Sequence, residues 1–261
     1  MGHQRLGKLP AHRLLPEIVK FLVEGGTPTE DLVSQVTQFG RDALTLALKD
    51  PVFINALWLL LRMPQAFASS DFPASLAELG MAKLAPTSQS DVLVIYDRAL
   101  EKVQRRLHAS ASDLGEIARQ AGLSAFGAAI QEALPLWDPE AVDVQAAVAA
   151  LKGTEQFAAL AHSFYARFIE RVIHYYVDRN LHNMVGAGRV VRSVHDLRAF
   201  NNAIRRHCDE SALIMRTFAK EWLGKNHYRD GKQISTDDIR RFSGHAVEKM
   251  RIELEIRKLA Q

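Results

Sequence analysis

The sequence has very little cysteine. A single one, Cys208, occurs in 261 residues, so an intramolecular disulfide and a cysteine-rich zinc site are both excluded. This usage suits a reducing compartment, and we expect a cytoplasmic protein. Because neighbouring residues on a helix point about 100° apart, His207 and Asp209 would not face Cys208, and a partly buried structural cysteine is favoured over a nucleophile.

Long apolar runs are missing as well. The longest, Val52–Leu61, is interrupted by Asn55 and has about half the length of a membrane span. The first residues carry charge but no apolar run of the length that a secretory signal needs. We therefore expect a protein that is neither exported by that route nor embedded in a membrane.

The sequence contains none of the common catalytic motifs. It has no Gly-x-Ser-x-Gly, no phosphate loop and no dinucleotide-binding glycine motif. None of the ten histidines follows a glutamate by three residues, as a di-iron bundle would require, and His-Glu-x-x-His is absent. We therefore expect no bound metal and no cofactor, and the missing motifs favour a non-enzymatic protein over an enzyme.

Positive charge is in small excess and unevenly placed. From Arg189 onward the chain has 16 Lys and Arg against 10 Asp and Glu, whereas the preceding residues have 17 against 20. A basic C-terminal third can bind phosphate, an acidic partner or the acidic front of a second copy. The excess is modest beside the dense basic tracts of many nucleic-acid-binding proteins.

Helical periodicity is what the sequence has in abundance. Apolar residues are 48% of the chain and charged residues 24%, as in a packed globular protein. The β-branched run Val92–Tyr96 follows a capping Ser88, and its apolar residues continue at helical spacing, so it too predicts a helix. The sequence predicts an all-α, multi-helix bundle of roughly eight to ten helices. We expect a single domain over 1–261, with a soft division near 138 that separates 1–137 from the long C-terminal helices of 138–261.

Capping residues and breakers predict where helices begin and end. Starts are predicted at Thr27-Pro28, Asp50-Pro51, Asp138-Pro139, Thr154, Ser193 and Ser235. Breaks are predicted at Met63-Pro64, Ala66–Ser90, Gly186–Arg192 and Gly224–Gly231.

Two short patterns suggest nucleic-acid chemistry. Asp113–Ala129 resembles a helix-turn-helix with Gly122 at the turn, but its second half lacks Lys and Arg, and an ordinary helical stretch is favoured. Arg167 and His174 resemble the arginine–histidine pair of HEPN-class ribonucleases, in which arginine stabilises the phosphorane and histidine acts as general acid or base. In this sequence Phe168 follows the arginine where that class has a polar residue.

A basic and aromatic group on the C-terminal third is the other candidate interface. Such residues can stack on bases and neutralise phosphates, or act as hot spots in a protein interface. The candidates are Arg205, Arg206, Lys220, Trp222, Lys225, Tyr228, Arg229 and Lys232.

Three functions remain open from the sequence. The first is a non-enzymatic helical subunit or adaptor of a bacterial-type cytosolic assembly, with a protein partner or self-association. The second is a nucleic-acid-binding protein that uses the basic C-terminal third. The third is a HEPN-like helical ribonuclease.

Overall fold

The structure, a computed structural model, describes residues 42–81, 86–107, 112–184, 194–230 and 233–259. In these ranges the chain forms nine helices and no strand, which confirms the predicted all-α bundle. The helices are α1 (42–47), α2 (Pro51–Phe67), α3 (Phe72–Glu78), α4 (Gln89–Arg106), α5 (Asp113–Ala133), α6 (Ala141–Ala150), α7 (Thr154–Met184), α8 (Val194–Asp230) and α9 (Thr236–Leu259).

Helix starts that depend on local capping agree with the sequence. The Asp50 carboxylate accepts the amide hydrogen of Val52 at 2.8 Å and begins α2. Ser88 and Asp91 form a reciprocal capping box at the start of α4, which satisfies two amide groups that the helix itself cannot. The starts predicted at Thr27 and Ser193 lie outside the described residues.

The break predicted at Pro64 is wrong, and the non-helical stretch predicted over Ala66–Ser90 is wrong in part. Helix α2 continues through Pro64 to Phe67, because proline so close to the end removes one hydrogen bond while the buried side chains around it keep the last turn in the core. The Ser- and Pro-rich stretch then contains α3, which Asp71 caps. Phe72 stacks on Phe67 with ring centres 5.6 Å apart, and Leu76 is fully buried.

The start predicted at Asp138-Pro139 is displaced by two residues. Asp138 lies in the left-handed region with φ of 36°, so it cannot serve as an N-cap, which needs extended backbone. Glu140 takes that role, and its amide donates to the Asp143 carboxylate at 2.9 Å. Helix α6 therefore begins at Ala141.

The break predicted from Gly224 onward is also wrong. Helix α8 runs through Gly224 to Asp230. Two residues before the glycine, Trp222 packs on Phe242 of α9 with ring centres 4.7 Å apart, and Leu223 is buried. These contacts outweigh the roughly 1 kcal/mol that a glycine costs inside a helix. The break predicted at Gly186 falls in 185–193, outside the described residues.

The segment Asp113–Ala129, which resembles a helix-turn-helix in sequence, is part of one uninterrupted helix, α5. The ordinary helical stretch that the sequence favours is therefore the one that forms. Gly122 is present for close packing, because a Cβ built there would lie 2.0 Å from the Tyr96 hydroxyl oxygen. That hydroxyl donates to the Ala56 carbonyl oxygen at 2.9 Å. The glycine thus lets a tyrosine of α4 pass α5 and reach α2.

Helix α2 lies at the centre of the bundle. Twelve of its 17 residues are buried, and its half-buried polar residues, Asn55, Arg62 and Gln65, recur at helical spacing on one face. It packs against α3, α4, α5, α6, α7 and α9. Helices on both sides of residue 138 therefore contact it. A soft division at that residue stays a prediction.

Candidate functional site

Helices α7 and α8 form a long antiparallel pair. Phe157 near the start of α7 faces Trp222 near the end of α8, with ring centres 6.4 Å apart. Farther along, the Glu170 carboxylate lies 3.8 Å from the Arg205 Nε. The two helices thus run side by side in opposite directions, and side chains at helical spacing on each can face one another.

A cleft opens between these helices where two polar stripes meet. On each helix the polar residues recur three and four positions apart, which places them on one face. The cleft has a volume of about 420 Å³. Its lining, which we call the arginine cleft, is Ser163, Ala166, Arg167 and Glu170 of α7 with Asn202, Arg205, Arg206 and Asp209 of α8. From the sequence, Arg167 belonged to the ribonuclease hypothesis, and Arg205 and Arg206 belonged to the basic and aromatic group. The fold brings all three arginines together in this cleft.

Arg167 is the half-buried cation of the arginine cleft. Its Nε donates to the Ser163 hydroxyl at 3.1 Å, and its two terminal nitrogens have no hydrogen-bond partner among the described residues. Burial lowers the pKa of Arg167, Glu170 offsets part of this, and the positive charges of Arg205 and Arg171 lower it further. The guanidinium is therefore a partly desolvated cation beside like charges.

Two carboxylates balance part of this positive charge. Glu170 is half-buried and pairs with Arg205, whereas Asp209 is exposed at the other end of the cleft. The backbone carbonyl oxygen of Asp209 lies 2.9 Å from His162 Nε2, and its carboxylate lies 3.5 Å from the same nitrogen. The cleft therefore offers both hydrogen-bond donors and acceptors to a bound molecule.

Only Arg167 of the proposed ribonuclease pair is at the arginine cleft. Arg167 lines the cleft and His174 does not, although both lie on α7 two turns apart. His174 is half-buried and has interactions of its own.

Cys208, which precedes Asp209 on α8, is buried. Burial raises the pKa of its thiol far above neutral pH, and the negative charges of Glu170 and Asp209 raise it further. The thiol is thus protonated and packed, as a structural cysteine should be.

The described members of the predicted basic and aromatic group are spread along α8. Fifteen residues of α8 separate Arg205 from Lys220, which is about 22 Å along a helix. Lys220 pairs with Glu155, and Trp222 is half-buried against α7 and α9. Lys225 is exposed. The side chains of Tyr228 and Arg229, and the whole of Lys232, lie outside the part of the chain that the structure describes.

A second candidate site is the short connection between α5 and α6. Residues 134–140, which we call the Leu136–Trp137 loop, expose two large apolar side chains: Leu136 is 94% exposed and Trp137 is 86% exposed. Both lie between Pro135 and Pro139, whose rings fix the backbone on either side. Val142 in the first turn of α6 is exposed as well. Sequence reasoning did not single out this loop.

The segment of the chain that contains this loop is acidic. Between Gln120 and Leu151 the chain has four acids, no lysine, no arginine and no histidine. The acids are Glu132, Asp138, Glu140 and Asp143. Three of them, all but the capping Asp143, are exposed, so an apolar anchor lies within a negatively charged segment.

Comparisons with known proteins found no match: no family model, no curated protein and no solved structure is significantly similar to this chain. None of the helices that the structure describes combines the length and apolar composition needed to cross a bilayer. The described side chains also contain no group of three or more His, Cys, Asp and Glu placed to hold a metal ion.

Proposed function

We propose that the protein is a non-enzymatic subunit of a cytoplasmic multiprotein assembly and binds a partner protein through the Leu136–Trp137 loop. The exposure of Trp137 is the observation that carries this proposal. The other two tryptophans are packed: Trp58 donates to the Ile234 carbonyl oxygen at 2.9 Å, and Trp222 lies against Phe242. Exposed tryptophan is enriched at the centres of protein interfaces.

The loop is held in position before any partner arrives. At one end Leu134 packs against the core and its amide donates to the Ile130 carbonyl oxygen at 3.0 Å. At the other end Glu140 caps α6. Because the flanking prolines and these anchors already restrict the backbone, binding loses little conformational entropy.

The charge of the loop indicates the chemistry of the partner. The exposed acids Glu132, Asp138 and Glu140 would repel an acidic surface and attract a basic one. The partner we expect is therefore a different protein that offers an apolar cleft rimmed by lysine and arginine.

A photo-crosslinking amino acid placed at position 137 tests this in the native cells. We expect a covalent product with one other protein, attached beside an apolar cleft with basic residues at its rim. A product that joins two copies of this chain, a product at an acidic or polar surface, or no protein product at all would each contradict the proposal.

The affinity of the purified pair gives the quantitative prediction. Trp137→Ala should weaken binding by about 30-fold or more, since a hot-spot side chain contributes at least about 2 kcal/mol. Leu213→Ala is the matched control, because Leu213 is also an exposed apolar residue but lies on α8. It should change the dissociation constant less than about twofold. Equal effects of the two substitutions would contradict docking through the loop.

The nucleic-acid and ribonuclease hypotheses have less structural support. Some of the positive charge on α8 and α9 is paired with acidic side chains, such as Lys220 with Glu155 and Arg241 with Asp238 at 2.8 Å. Only one member of the ribonuclease pair lines the arginine cleft. We therefore place the subunit hypothesis first.

A further inference from the structure

The arginine cleft has the size and form of a small-molecule site. Its volume of about 420 Å³ falls within the roughly 300–1,000 Å³ of typical ligand pockets. Its walls belong to two long helices that pack tightly through their apolar faces, so the lining side chains project from a rigid frame. Nothing in the proposed docking through the Leu136–Trp137 loop requires this cleft.

The cations in the cleft are not fully neutralised by the protein. Arg167 has no ion pair, and its terminal nitrogens have no acceptor among the described residues. Arg206 is exposed and likewise has no ion pair within the described part. Arg205 meets Glu170 through Nε at 3.8 Å, and its side chain is 69% exposed, so part of its guanidinium stays open. Three planar guanidinium groups therefore have donors available for one anion.

Keeping a half-buried guanidinium beside two other positive charges costs free energy unless an anion offsets it. A tetrahedral phosphate suits this arrangement, because arginine binds its oxygens with two parallel hydrogen bonds. Three arginines and two carboxylates give the lining of the cleft a net charge of +1. A phosphate monoester carries close to two negative charges near neutral pH, so its binding would more than offset this positive charge.

The carboxylates indicate what the phosphate is attached to. Asp209 and Glu170 would repel a chain of phosphates, but they accept hydrogen bonds from hydroxyl or amino groups. Asn202, on the α8 wall of the cleft, can both donate and accept. The complement of the cleft is thus a compact molecule with one anionic end and several donors.

We infer that the arginine cleft binds a small phosphate monoester that also bears hydroxyl or amino groups, such as a mononucleotide or a sugar phosphate. Arg167, Arg205 and Arg206 hold the phosphate, and Asp209 and Asn202 hold the donor groups. Ser163 positions Arg167 through the bond to its Nε.

Calorimetric titration of the full chain with a nucleoside monophosphate, ribose 5-phosphate, inorganic phosphate and a short single-stranded RNA tests this inference. We expect at least one of the two monoesters to bind, and to bind more tightly than inorganic phosphate. The preference between the two monoesters identifies the ligand class. Failure of both monoesters to bind at millimolar concentration, equal binding of inorganic phosphate, or binding of RNA alone would each overturn it.

Substitutions then locate the site. Arg167→Gln should weaken monoester binding about 10- to 100-fold, as expected for lost hydrogen bonds to a charged group. If that variant does not fold, Arg206→Gln, at an exposed position, replaces it and should also weaken binding severalfold. Arg216→Gln is the matched control: it removes the same charge from an exposed position ten residues farther along α8, and should change affinity less than twofold. Unchanged affinity in both cleft variants would overturn the assignment.

Discussion

Replacing Phe53 with alanine should lower the free energy of unfolding by about 3–5 kcal/mol, the range found when a buried aromatic side chain is truncated. Phe53 is fully buried in α2. Its ring centre lies 5.3 Å from that of Phe164, 6.0 Å from Tyr165 and 4.9 Å from Phe168, all on α7. The alanine would leave a cavity between the central helix and α7, and the aromatic side chains around it would lose contacts on one side.

Urea denaturation of the purified variant measures this loss. Phe53→Leu fills most of the volume and should cost under about 2 kcal/mol, while Leu213→Ala on the surface should stay within about 0.5 kcal/mol of wild type. A loss below 1 kcal/mol for Phe53→Ala would show that α2 and α7 do not pack through these rings.

This aromatic contact also matters for the arginine cleft. On α7 the buried Phe164 and Phe168 lie beside Arg167 in sequence, so one face of the helix packs on Phe53 while the neighbouring face lines the cleft. The position of the cleft therefore depends on the core. A destabilised core should weaken ligand binding even though none of its residues touches the ligand.

Several helix starts, though not the one at Asp138-Pro139, could be predicted from the sequence because they depend on neighbouring residues. Asp50 and Ser88 make their capping bonds within three residues of themselves, so the pattern alone contains the interaction. Helix ends were harder. Pro64 and Gly224 are both helix breakers by local propensity, and in both cases tertiary packing decides the outcome. No local pattern contains that information.

The candidate sites show the same limit. The polar spacing on α7 and α8 is visible in the sequence, but it does not say that Arg167 and Arg206 face each other, because this depends on how the two helices align. The sequence around Trp137 indicates its role even less clearly than the polar spacing indicates the cleft. A tryptophan between two prolines suggests a loop, yet the sequence contains two other tryptophans, and only the fold shows that those two are packed.

The two sites are separable by their chemistry. The Leu136–Trp137 loop is apolar within an acidic segment, whereas the cleft is polar and basic. A Trp137→Ala variant should therefore keep its affinity for a phosphate monoester, and an Arg167→Gln variant should keep its affinity for a protein partner. Loss of both activities in one variant would indicate damage to the shared core rather than to either site.

Gly122→Ala should destabilise the protein by about 3 kcal/mol, at the upper end of the usual cost of overpacking. The added Cβ would lie 2.0 Å from the Tyr96 hydroxyl oxygen and 2.9 Å from Cζ. Tyr96 cannot move aside cheaply, because it is fully buried, its ring packs 5.7 Å from that of Phe126, and its hydroxyl donates to the Ala56 carbonyl oxygen. Helices α4 and α5 would have to separate, or a buried carbonyl would lose its partner.

Gly224→Ala is the control that isolates this effect, since a Cβ at that position meets nothing within 4 Å. In a helix interior the same substitution should raise the free energy of unfolding by about 1 kcal/mol, through helix propensity alone. Adding Tyr96→Phe to Gly122→Ala removes the nearest atom but leaves Cζ at 2.9 Å, so the double variant should recover only part of the loss. If Gly122→Ala proved as stable as Gly224→Ala in chemical denaturation, the path of Tyr96 across α5 would be wrong.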